Sequence, residues 1–132
     1  MSTDAKEVVR KFYTSGYFSE ASIIREYLHP EMMLYWNART GYVELNVDQI
    51  FETIDEASKS FEAVRCDISH LLQDNNQVTV RFTYYVRTIE NPNEEIPMAH
   101  FIAIWEVKDG LMYRGYQMSQ PAEEDERALA SY

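Results

Sequence analysis

The sequence predicts an α+β fold, with three N-terminal helices packed on the concave face of a strongly curved sheet, antiparallel or mixed. Three observations point there. Near residue 62 the spacing of apolar side chains changes from a helical 3.6 to a strand-like 2. Alternating strands then follow one another to residue 119, punctuated by the turn signals Asp74-Asn75-Asn76 and Asp109-Gly110. The segment 96–107 is apolar on both faces, so it must be covered on both sides.

Each element has its own local reason. Asp4 and Glu7 have the spacing of a capping box, and Val8, Val9, Phe12, Tyr13 and Tyr17 recur at helical intervals around Gly16. Ser19 can cap a second, short helix carrying Ile23, Ile24, Tyr27 and Leu28, which Pro30 stops at about His29. Residues 32–36 read as a short strand, followed by a loop through Asn37, Arg39 and Gly41. A third helix starts at the Asn46/Gln49 pair and aligns Ile50, Phe51, Ile54, Ala57 and Phe61.

In the strand half, Val64, Cys66, Ile68 and His70 share one face, and Val78, Val80, Phe82, Tyr84 and Val86 share the next. After a loop at 91–95, the long strand sets Ala99, Phe101, Ala103, Trp105 and Val107 on one face. Met98, His100, Ile102, Ile104 and Glu106 lie on the other. A hairpin at 109–110 returns residues 111–119 as the last strand, and the acidic stretch 121–132 reads as a solvated tail. Helices can cover only one side of the long strand. The row His100, Ile102 and Ile104 is therefore expected to meet a second copy of the chain in a homodimer built sheet against sheet.

The 132 residues carry 12 basic and 22 acidic side chains, a formal net charge of −10. Such a charge repels phosphate backbones and anionic lipid, so neither nucleic acid nor a membrane surface is an expected partner. With 45% apolar residues the chain can build a core, and a single domain over 1–132, with its core at about 4–120, is expected. Cys66 is the one cysteine, no leader-like start is present, and no apolar run approaches the roughly 20 residues of a membrane helix. The expected setting is the cytoplasm. No metal-ligand spacing, phosphate loop or nucleophile elbow occurs, so no metal and no cofactor are expected.

The segments EVVRKFYTSGYFSEASIIREYLHPEMMLYW and IPMAHFIAIWEVKDGLMYRGYQM, set in this element order, resemble the nuclear transport factor 2-like superfamily over nearly all of residues 4–120. That superfamily includes the ketosteroid isomerases and the SnoaL-like polyketide cyclases. The resemblance implies a cone-shaped α+β barrel enclosing an apolar pocket, commonly in homodimers. It implies no single activity.

Laid against the isomerases, Phe12 stands at the oxyanion-binding tyrosine, Tyr35 near the general-base aspartate and Ala99 at the neutral aspartic acid. None of those groups is retained, and the neighbours Leu34, Trp36 and Met98 do not replace them. No acidic residue can be placed inward for cyclase chemistry, and the epoxide-hydrolase trio finds no match. Dehydratase-type acid–base chemistry stays open, because the chain has ten tyrosines and three histidines. The candidate groups are His100, His70 and Tyr84. His29 reads as a helix-end residue. His70 either enters the cavity or makes a buried hydrogen bond, and His100 is an interface residue unless the strand register flips.

Phe12, Tyr35, Phe82, Tyr84, Phe101 and Trp105 are expected to face inward, with Ala99 and Ala103 leaving room between the rings. Those rings either line a pocket for a flat apolar ligand or simply fill the core. Three readings follow: a binder of a small apolar or aromatic molecule, a dehydratase-type enzyme acting on such a molecule, and a dimeric interaction module.

Overall fold

A computed structural model of the chain describes residues 4–122 and 126–132. Helix α1 (Ala5–Tyr13) leads through a 3-10 helix (Ala21–Glu26) to strands β1 (Leu28–Ala38) and β2 (Gly41–Asn46) and helix α2 (Val47–Ser58). Strands β3 (Phe61–Asp74), β4 (Gln77–Thr88), β5 (Glu95–Lys108) and β6 (Leu111–Pro121) follow, then a short helix α3 (Glu126–Ser131). The six strands form one sheet in the order β2-β1-β6-β5-β4-β3. Its neighbours are antiparallel except β1 and β6, which run parallel. Helix α2 touches β1 and β2 at one edge of the sheet and β3 at the other. The sheet thus curves far enough for one helix to reach both edges, without closing.

The strongest local signals form as predicted. Asn46 and Gln49 make the reciprocal capping box of α2, at 2.9 and 2.8 Å. Along β4 the row Val78, Val80, Phe82, Tyr84 and Val86 is buried throughout. Asp109 and Gly110 both take positive φ, as a tight hairpin turn requires.

The N-terminal third departs from expectation in several places. Asp4 accepts from the Lys6 N–H rather than completing a box with Glu7, and α1 ends at Tyr13. Gly16, at φ 78°, then turns the chain so that Tyr17 lies off the helix yet stays buried. The second helix is a 3-10 turn whose N-cap, Glu20, makes no side-chain cap. His29 and Pro30 belong to β1, where the ladder to β6 slips between Leu28 and Met33, because proline has no N–H to give it. His29 is therefore not a helix-end residue; its Nδ1 accepts from the Glu31 N–H at 3.0 Å. The loop read after residue 36 contains strand β2, which sequence periodicity missed because Tyr42, Val43 and Glu44 are all exposed at the sheet edge.

Strand β3 carries a bulge between Ile68 and His70 opposite the single step from Phe82 to Arg81. The extra residue flips the strand's faces. Val64, Cys66, Ile68 and Leu71 pack against the core, while His70 turns out to solvent. Of the expected acidic tail, Glu123, Glu124 and Asp125 lie outside the described residues. Beyond them the chain returns to the sheet, where the Tyr132 ring stacks on His100 at 4.3 Å beneath the Arg81 guanidinium.

Candidate functional site

Inside the curve of the sheet, beneath α2, lies a cavity of about 320 Å³. Strands β1 and β2 contribute Leu34, Trp36 and Leu45 to its wall, and β4, β5 and β6 contribute Tyr84, Met98, Phe101, Trp105 and Gln117. Helix α2 contributes Ile50, Thr53, Ile54 and Ala57 from its inner side, with Ser60 and Phe61 just beyond. Phe12 and Tyr13 of α1, followed by Tyr17 and Phe18, complete it. Thr53 and Ser60 are exposed as well as lining, which places the mouth beside the end of α2.

The walls hold themselves apart. Phe101 stacks on Phe82 with centroids 5.0 Å apart and 3° between planes, and it meets Tyr84 edge-on at 5.1 Å. The Trp105 indole packs close to β6 at position 115 because that residue is glycine. A Cβ there would stand 2.7 Å from the indole and 2.8 Å from Leu34.

Few polar groups reach this space. The Trp105 Nε1–H donates to the Tyr13 hydroxyl at 2.8 Å, and the hydroxyls of Tyr17 and Tyr84 hydrogen-bond to each other. Burial raises the pKa of all three tyrosines well above the ordinary range, so they remain neutral O–H groups. Gln117 is buried at the wall, and its amide makes no hydrogen bond among the described residues. Among the described residues the lining contains no carboxylate, imidazole or cationic side chain. Such a chamber can hold a flat apolar molecule and offer it a few neutral hydrogen bonds. It has no group that titrates near neutrality. Among the described residues no three His, Cys, Asp or Glu side chains converge as a metal site would require.

Of the residues the sequence put forward, Phe12, Tyr84, Phe101 and Trp105 line this cavity. Phe82 sits behind Phe101 as fully buried core, and half-buried Ala99 does not reach the space. Tyr35 points to the other face, where its ring stacks on Tyr116 at 5.4 Å, so its neighbours Leu34 and Trp36 take the inward places. His70 is exposed and His100 lies on the outer face, so neither imidazole enters the cavity. The His100 Nδ1 pairs with the Thr83 hydroxyl at 2.8 Å, and its buried Nε2 has no partner among the described residues. Desolvation, then the charge of Arg81, lowers its pKa. Sequence reasoning missed Tyr17, Leu45, Met98 and Gln117. Only Tyr17 had a signal, as the aromatic that follows a glycine at the helix end.

A six-stranded curved sheet holding helices and an apolar chamber on its inner side defines a class of fold with many activities. Residues 9–115 match the SnoaL-like domain family, and the chain belongs to that family, within the nuclear transport factor 2-like superfamily. No curated protein sequence matches it significantly. Among solved structures it is similar to IdmH of Streptomyces antibioticus, described as a candidate polyketide cyclase. That match has a TM-score of 0.72 and 12% identity, over 89% of this chain and 92% of that one. AclR of Streptomyces galilaeus, a candidate hydroxylase, superposes with a TM-score of 0.74 at 10% identity, covering 97% and 93% of the two chains. A candidate polyketide cyclase from Acidithiobacillus ferrooxidans gives 0.68 at 17% identity, covering 99% and 94%. At these identities the likeness is one of fold.

Proposed function

We propose that the protein binds a small, flat, mostly apolar ligand in the cavity beneath α2. The observation that carries this reading is the unfilled volume itself, about 320 Å³ walled almost entirely by aromatic and aliphatic side chains. Ligand pockets are usually about 300–1,000 Å³, so the space suits a two- or three-ring molecule. Structural neighbours described as candidate polyketide cyclases support the same class of occupant. The dehydratase-type reading retains one of its three acid–base candidates at the cavity, Tyr84, whose hydroxyl stays protonated.

Both tryptophans of the chain line the cavity, so the protein carries its own reporter. Titration with fluorene, a flat tricyclic hydrocarbon, is expected to change tryptophan emission saturably and to raise the melting temperature. Absence of both effects would favour the interaction-module reading.

The homodimer belongs to this proposal as well. Ile102 pairs with Met118, Ile104 with Tyr116, and the four are 43%, 63%, 42% and 51% exposed, a contiguous apolar patch on the outer face. A second copy docking there would cover it, with His100 at its margin. Sedimentation should show a dimer that Ile104→Asp converts to monomer, and a monomeric wild type would remove this part of the reading. The half-buried free thiol of Cys66, pushed up to about 12 mainly by burial, fits a reducing cytoplasmic setting. No helix among the described residues is long and apolar enough to cross a membrane.

A further inference from the structure

A second cleft of about 280 Å³ lies beyond the cavity, walled by Thr14, Gly16, Val64, Arg65 and Cys66. The two spaces share Tyr13, Tyr17, Phe18 and Tyr84. Tyr17 and Tyr84, whose hydroxyls pair, therefore stand between the two spaces.

The pair has a hydrogen left over. A phenol hydroxyl donates one proton and accepts at its lone pairs. When one hydroxyl donates to the other, the second still owns a proton, and neither hydroxyl has another partner among the described residues. Both residues are at least nine-tenths buried, so an acceptor for the spare proton has to come from whatever occupies the two spaces they line. Ionisation does not remove that proton, because the pair stays neutral. The donor that remains is also the stronger of the two, since a hydroxyl that accepts a hydrogen bond becomes a better donor.

We propose that the Tyr17–Tyr84 pair is a hydrogen-bond-donating subsite that selects ligands carrying a carbonyl oxygen on the edge of an aromatic body. This rests on the ligand-binding reading and narrows it to aromatic ketones and quinones. The ring system lies in the cavity against Phe101 and Trp105, its oxygen meets the spare O–H, and any substituent beyond that oxygen points into the second cleft. The preference for such an oxygen over bare hydrocarbon is set by the two hydroxyls together, because removing either one frees the proton of the other.

The experiment compares fluorene with fluorenone, the same skeleton with a methylene replaced by a carbonyl, on wild type and on the double variant Tyr17→Phe/Tyr84→Phe. Tryptophan emission gives the affinities, and the infrared carbonyl stretch of bound fluorenone reads the hydrogen bond directly in unmodified protein. The ratio of fluorenone to fluorene affinity is expected to fall about tenfold in the double variant, in line with the loss of one hydrogen bond. The stretch is expected to lie below its hydrocarbon-solvent position in wild type, less so in either single variant, and at that position in the double variant. Binding of both compounds with an unshifted stretch and an unchanged ratio would overturn the subsite alone. If neither compound binds wild type, the ligand-binding reading falls and the subsite falls with it.

Discussion

The interior of the molecule has two ends built in different ways. Toward the β5–β6 hairpin, Val78, Val80, Ile24, Met32 and Met112 are completely buried and Leu28 nearly so, leaving the space filled. Toward the opposite end the inward residues are Trp36, Tyr84, Phe101 and Phe61, faced by Ala57 and Ser60, and the space is hollow. Branched and flexible aliphatic chains interdigitate until a volume is used up. Rings are stiff. Phe82, Phe101 and Tyr84 satisfy one another in stacked and edge-on contacts and leave the space in front of them open. The chamber is thus a product of side-chain type along continuous strands.

The sharpest way to break this comparison is truncation at each end. Met112→Ala should cost about 3 kcal/mol in urea unfolding, because it opens a void in packed surroundings. Met98→Ala, at the hollow end, should cost only about 1 kcal/mol. Equal losses would mean the two ends are packed alike. Next in size is Gly115→Ala, which forces Trp105 or Leu34 to move and should cost roughly 1–3 kcal/mol, with altered tryptophan emission as the second readout.

Filling the chamber should act in the opposite direction. Ala57→Leu is expected to stabilise by up to about 1 kcal/mol while weakening fluorene binding at least tenfold, on the order typical of cavity filling at a functional site. Stabilisation with unchanged affinity would place the ligand elsewhere.

The smallest effect is one of pH. Tyr13, Tyr17 and Tyr84 have raised pKa values in the folded state, so their contribution is complete below about pH 10 and is lost as pH rises beyond it. Phenolate absorbance and unfolding are to be followed together in an alkaline titration. These three should ionise only as the fold is lost, and Tyr17→Phe/Tyr84→Phe should flatten the decline.

What the sequence revealed follows from where one signal dominated. Along β4 every second residue is buried, and at Asn46/Gln49 both halves of the capping box are present, so periodicity and capping chemistry sufficed. In β1, Met32 to Trp36 is apolar on both faces, and alternation cannot say whether Tyr35 or its neighbours point inward. The bulge left a fainter trace, since Leu71 rather than His70 continues the buried row of β3. Strand β2 left none, because an exposed edge strand is held by its ladder to β1 and not by burial. The hollow itself lies below the reach of pattern reading. It depends on ring orientation and on the partition by Tyr17, a residue positioned by one glycine turn.

The parallel ladder between β1 and β6 has a consequence in time. Leu34 finds its partner in Gly115, far along the chain, so this side of the chamber waits on a contact whose closure is entropically slow. During synthesis, a chain that has reached Lys108 already holds every aromatic residue of the cavity wall but has no sixth strand on which to seat β1. The chamber is thus completed only once the β5–β6 hairpin has been made.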